Sequence, residues 1–158
     1  MNIEYTPIGT IRTPFKTKNG MPIQPAGAAG IRGTVELKRE FTEGLLDLDG
    51  FSHVILIYHF DKSDGFDLQV TPFLDDKAHG VFSTRAPKRP NPIGISVVKL
   101  KRISDNILEI ENVDMLDGTP LLDIKPFIPA FDVYEVEKTG WMKHNISLKD
   151  FKSDNRFY

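Results

Sequence analysis

The 158-residue sequence predicts a mainly β protein, a small single-domain β-barrel with short helices rather than a Rossmann sheet. Three observations predict it. Strand-length apolar runs recur along the chain, 12 glycines and 11 prolines punctuate them, and the amphipathic segments that βαβ crossovers need are missing. Hydrophobic residues make up 40% and charged residues 27%, the balance of a chain able to bury a core. One domain spanning residues 1–158 is the expectation for that length.

Residues 31–37 have strand length and follow Gly30. Thr42 is placed to cap a short helix over 42–48. Residues 53–60 are nearly all apolar, which suits a central strand. In 95–102, Val98 and Leu100 share one face while Lys99 and Lys101 take the other, and in 107–113 Leu108 and Ile110 alternate with Glu109 and Glu111. Both patterns have the period of a half-buried strand. Residues 121–127 supply a last strand, and 147–151 a last helical turn or two.

Several function classes lose their agents. Without cysteine there is no disulfide framework, thiolate metal site or thiol nucleophile. The longest apolar run, 54–58, is too short to span a bilayer, and Glu4 and Pro7 stand where a signal peptide needs apolar residues. A cytoplasmic protein with no membrane partner is expected. The glycine-rich stretch 27–33 leads into a strand, so it cannot set a phosphate on a helix N-terminus. His53 and His59 share a strand face about 20 Å apart, too far for one metal, so each is expected to be a hydrogen-bonded strand histidine. Asp114 and Asp117 lack the ligand spacing of an EF-hand, and no metal is expected.

Two segments carry more polar chemistry than folding asks for. Residues 77–104 hold seven Lys or Arg and no acid in a chain of net charge -2, an asymmetry that favours an anionic partner. Within them Pro87, Pro90 and Pro92 fix φ and stiffen a loop bearing Arg85, Lys88, Arg89 and Asn91. Side chains ordered in advance cost less entropy on binding. The second segment, 112–123, sets Asp114, Asp117 and Asp123 around an Asp117-Gly118 turn signal. A hairpin loop is its purely structural reading.

Arg85-x-Pro87-x-Arg89-Pro90-Asn91-Pro92-Ile93-Gly94 with Ser96, then Asp114-x-x-Asp117-Gly118-Thr119-Pro120 and Asp123-Ile124-Lys125-Pro126, resemble a known family. So do Ile8-Gly9-x-Ile11-Arg12-x-Pro14-Phe15, Gln24-Pro25 and Gly50-Phe51-Ser52-His53, in the same order. The family is the TsaA-like or TrmO group of S-adenosylmethionine-dependent tRNA methyltransferases, which modify N6 of adenosine 37. The resemblance runs from about residue 5 to residue 130. It implies a β-barrel enzyme, a homodimer, S-adenosylmethionine as cofactor, and threonylcarbamoyl-adenosine in the tRNA anticodon loop as target. Longer relatives carry an extra carboxy-terminal domain that this sequence is expected to lack. Where relatives often have a histidine, this chain has Asp61.

Methyl transfer from a sulfonium needs in-line positioning more than acid chemistry, because the leaving group departs neutral. The exocyclic amine of adenine is a poor nucleophile that acceptors can orient. Asn91, between Pro90 and Pro92, offers one such carbonyl, or else caps its own turn. Asp117 is the other catalytic candidate. The cationic sulfonium and ammonium suit Asp114 or Asp117, with Met115, Leu116 and Gly118 edging the adenine or ribose. Resemblance adds Gln24, Pro25, Ala26, Asp61, Lys62, Arg85 and Ser96 to the cofactor site, where the Arg85 guanidinium suits the methionyl carboxylate. Lys88 and Arg89 are the expected RNA contacts. The alternatives are a non-catalytic nucleic-acid-binding barrel, for which only Phe82 offers a stacking platform near in sequence, and a methyltransferase acting on a small metabolite.

Overall fold

The structure, a computed structural model, describes residues 1–142, so the turn expected over 147–151 lies outside the described residues. Its strands are β1 Gly9–Arg12, β2 Arg32–Leu37, β3 His53–His59, β4 Gln69–Val70, β5 His79–Gly80, β6 Ile93–Ser104, β7 Ile107–Glu111 and β8 Thr119–Pro126. Six of them close a barrel in the order β1-β2-β7-β6-β3-β8, and β4 and β5 form a separate ribbon. Every pairing is antiparallel. Among the described residues, helix is limited to the four-residue α1, Pro129–Asp132, and short 3-10 turns. The mainly β barrel expected from the sequence is the fold observed.

Period-two alternation builds the interior. Val54, Leu56 and Tyr58 of β3, Val98 and Leu100 of β6, and Leu108 and Ile110 of β7 point inward against Ile11, Val35 and Leu121. Each fully buried aliphatic side chain of this kind contributes roughly 1.5–3 kcal/mol. Glu109 and Glu111 face out, as their alternation requires. The apolar character of β3 has a second cause: its outward residues Ile55 and Ile57 are themselves half-buried. His53 and His59 also face outward; His53 hydrogen-bonds Ser52 at 3.0 Å and meets Phe127 edge-on, as a strand histidine should.

Boundaries differ from expectation for local reasons. β6 starts at Ile93, because Ile93 and Gly94 pair with His59 and Tyr58 immediately after Pro92. β7 stops at Glu111, where Asn112 turns to φ +69. The helix expected over 42–48 is a 3-10 turn over Arg39–Leu45. Thr42 lies inside it and donates its hydroxyl to the Arg39 carbonyl instead of capping the start. Gly94 has a packing reason: a Cβ there would collide with the Tyr58 ring lying over it. Tyr58 in turn meets Phe60 edge-to-face at 5.4 Å, which fixes where its hydroxyl points.

Candidate functional site

The inward alternation of β3 and β6 brings two polar side chains to one end of the barrel. Tyr58 donates its hydroxyl to Ser96 Oγ (2.9 Å), and Ser96 donates to Asp114 Oδ1 (2.6 Å) from the loop after β7. Burial pushes the Asp114 carboxyl up to about 7, against the Ser96 hydrogen bond, its own backbone N–H and the field of Arg85. This carboxyl faces a small cavity of about 50 Å³ with Met21, Phe60, Asp61 and Met115 on its wall. Ser63, on the same wall, has a buried Oγ with no hydrogen-bond partner among the described residues. Arg85 crosses to the amino-terminal loop, where its Nη1 donates to Gln24 Oε1 at 2.9 Å. Pro25 and Ala26 follow Gln24 in the 3-10 turn Pro25–Ala28, for which the fixed φ of Pro25 is preset.

A larger cavity of about 320 Å³ adjoins the first and shares Lys62 and Leu116 with it. Lys16, Thr17, Lys18 and Asn19 form one wall and Asp117 another. Asp117 holds that wall in place. Its carboxylate accepts from Lys16 Nζ (2.6 Å) and the Thr13 N–H (3.1 Å), while its own N–H donates to the Phe15 carbonyl (2.8 Å). The Lys16 hydrogen bond leads the causes that hold its carboxyl below the usual range. Gly118, at φ +83, completes the turn and donates to the Ile11 carbonyl. The segment is no hairpin, because β7 pairs with β2 and β6 whereas β8 pairs with β1 and β3. Asp123 lies on β8 and pairs with Lys125 at 2.9 Å.

The proline loop divides its cations. Arg89 donates to the Thr84 and Ala86 carbonyls (3.0 and 3.2 Å), bracing the loop that carries it. Lys88 stands close enough to Lys18 to act on its charge. Asn91 is exposed, and among the described residues its side chain makes no hydrogen bond, so no turn-capping contact holds it. The Phe60 N–H donates to the Pro92 carbonyl at 2.8 Å, tying the loop to the end of β3. Further along β6, Lys101 and Arg102 pair with Glu111 and Glu109 of β7. The cationic stretch thus splits into a matched strand half and a loop half beside the cavities.

Behind the loop, the Trp141 indole stacks on His79 at 4.7 Å and donates to the Ser83 carbonyl at 2.8 Å. His79 in turn bonds Asp75 at 2.7 Å, which leads the causes that lower that carboxyl to about 2. Residues far apart in sequence therefore meet: Gln24, Arg85, Ser96 and Asp114 in one linked set, and Asp61, Lys62, Met115 and Leu116 on the cavity walls. Sequence reasoning missed Tyr58, Ser63, Lys16 and Lys18. The one signal for the lysines was their alternation directly after Pro14-Phe15. Among the described residues no cluster of His, Asp and Glu could hold a metal ion, and no helix is long and apolar enough to cross a membrane.

Comparison with known proteins adds to this geometry. A relative from Pyrococcus abyssi named as a probable S-adenosyl-L-methionine-binding protein is 54% identical over 98% of this chain and 84% of its own length. The human tRNA (adenine(37)-N6)-methyltransferase is 34% identical over 98% of this chain, which spans 39% of that protein. The crystal structure of TrmO from Pseudomonas aeruginosa superposes with a TM-score of 0.76 at 39% identity, covering 90% of this chain and 64% of the other. The model of the tRNA-methyltransferase O N-terminal domain matches residues 10–133, and the chain belongs to that family.

Proposed function

We propose that the protein is an S-adenosylmethionine-dependent methyltransferase acting on N6 of adenosine 37 in the tRNA anticodon loop, with the threonylcarbamoyl-modified base as its preferred target. The observation that carries this reading is Asp114, a partly buried carboxyl on the wall of a cavity, bonded to Ser96 and pushed up by desolvation. A desolvated carboxyl suits a cationic ligand, which restores its preference for ionisation. The surrounding donor set fits the rest of that cofactor. Tyr58, Phe60, Met115 and Leu116 offer apolar surface for a purine, the buried Ser63 hydroxyl, without a partner among the described residues, offers a hydrogen bond, and the Arg85 guanidinium suits an amino-acid carboxylate.

S-adenosylmethionine, when bound, supplies a methyl group on a sulfonium that departs as a neutral thioether. The chain's own residues do the positioning. Asp114, oriented through Ser96 and Tyr58, sets the place of positive charge, and Gln24 holds Arg85 where its field reaches that carboxyl. Asn91, its side chain exposed on a backbone braced by Arg89 and the Pro92–Phe60 hydrogen bond, presents a carbonyl to orient an exocyclic amine. Asp117 acts one step removed, by fixing the 13–19 wall.

Calorimetry tests the reading. A cation seated against Asp114 pulls its carboxyl down from about 7, so binding near pH 7 releases protons that show as a dependence of heat on buffer ionisation enthalpy. Asp114→Asn abolishes that release. No binding heat and no rise in melting temperature at millimolar S-adenosylmethionine would overturn the assignment.

A further inference from the structure

The larger cavity is unlike its neighbour. Three of the side chains around it are lysines, Lys16, Lys18 and Lys62, with Thr17 and Asn19 between them, while the inner cavity is mostly apolar and acidic. These cations come from separate parts of the chain. Lys18 reaches across 44 residues to donate to the Lys62 carbonyl at 2.9 Å, and Lys88 of the proline loop stands near it. Burial, together with the fields of Lys62 and Lys88, lowers the Lys18 pKa, with Asp61 acting the other way. Like charges gathered at a cavity rim raise its potential and draw a concentrated anion. S-adenosylmethionine carries no phosphate and only one carboxylate, for which Arg85, near enough for its field to act on Asp114, is the candidate partner.

We propose that Lys18 and Lys88 form a seat for a backbone phosphodiester of the RNA strand at the mouth of the larger cavity, next to the nucleotide that is methylated, while Lys62 is held in an ion pair with Asp61 (3.2 Å). The proposal rests on the tRNA methyltransferase reading above and adds to it the group that fixes the strand's register. A phosphate contact of this kind positions the substrate without reading its sequence. The 13–16 anchor supplied by Asp117 makes the seat rigid, since it holds the wall that carries Lys18.

The test uses the full chain, purified tRNA and S-adenosylmethionine, with Lys18→Gln, Lys88→Gln, the double variant and Lys18→Arg. Each glutamine variant is expected to weaken tRNA binding about fivefold at low salt and to flatten the plot of log affinity against log salt by roughly 0.7–1. Lys18→Arg keeps the wild-type slope. Melting temperature and S-adenosylmethionine affinity of Lys18→Gln stay at wild-type values. Unchanged tRNA affinity and slope in the double variant overturn the phosphate seat and leave the methyltransferase reading intact. Loss of S-adenosylmethionine affinity with normal tRNA binding also overturns it, because the lysines then hold the cofactor's carboxylate. Wild-type protein that binds neither ligand overturns the reading, and the seat with it.

Discussion

The two ends of β6 hold charge in opposite ways. Toward Ser104, Arg102 lies across the ladder from Glu109 with both side chains in water, and Lys101 reaches Glu111 from the bulge between Leu100 and Arg102. Toward Ile93, Ser96 grips a carboxylate that burial has made reluctant to ionise, and lysines from separate segments gather beyond it. Exposed ion pairs of the first kind are worth up to about 1 kcal/mol and serve mainly solubility. A desolvated, half-satisfied carboxyl of the second kind costs stability, so folding alone gives no reason to keep it. Strength of charge therefore says less about function than the company that the charge keeps.

The largest expected effect is on Asp114. Its folded pKa, about 7, lies above the unfolded value near 3.8, so the folded state holds the extra proton between them. Stability from this group is complete below about pH 4 and is lost as pH rises through 7, by up to ~4 kcal/mol. Asp114→Asn removes that loss, and its unfolding free energy relative to wild type should grow by that amount between pH 4 and pH 7.5. A difference flat with pH would place Asp114 in water and erase the contrast between the two ends.

Next comes Asn91→Ala, which should slow single-turnover transfer by roughly 2–4 kcal/mol while melting temperature holds. A variant that melts early yet transfers at the normal rate would return Asn91 to a structural role. Gly94→Ala drives a methyl into the Tyr58 ring, so about 1–3 kcal/mol of stability should go, together with S-adenosylmethionine affinity as the Tyr58–Ser96–Asp114 chain shifts. Chemical denaturation beside calorimetry reads both, and unchanged values in each would show that the ring moves freely. The smallest effect sits at the other end. Glu109→Gln should change unfolding free energy by no more than about 0.5 kcal/mol, and a larger loss would mean that the β6–β7 ladder does more than solubilise.

These contrasts bear on how far the sequence could be read. The strand over 53–60 was legible as a nearly unbroken apolar run, and those over 95–102 and 107–113 because Val98, Leu100, Leu108 and Ile110 repeat with period two. β1 and the β4–β5 ribbon were not, since four and two residues are too few to show any period. The polar loops stood out because their prolines and acids exceed what a turn needs. Tyr58 did not, hidden in an apolar run with its partner Ser96 38 residues away. The same holds for the wall at 13–16, whose anchor on Asp117 spans 104 residues from Thr13. Side-chain pairing across such distances leaves no local pattern, so the clamp that Asp117 places on residues 13–16, beside the cavity it also lines, could not be read from the sequence.

Trp141 is the only tryptophan in the sequence. It lies flat on His79 and is tethered to the Ser83 carbonyl, two residues before Arg85. Indole emission is sensitive to a stacked imidazole and to hydrogen bonding at its nitrogen, so the ultraviolet fluorescence of the unlabelled protein is an optical gauge of the Arg85 loop. Ligands that tighten or release that loop would be visible in a cuvette, without a dye, a tag or a radioactive methyl group.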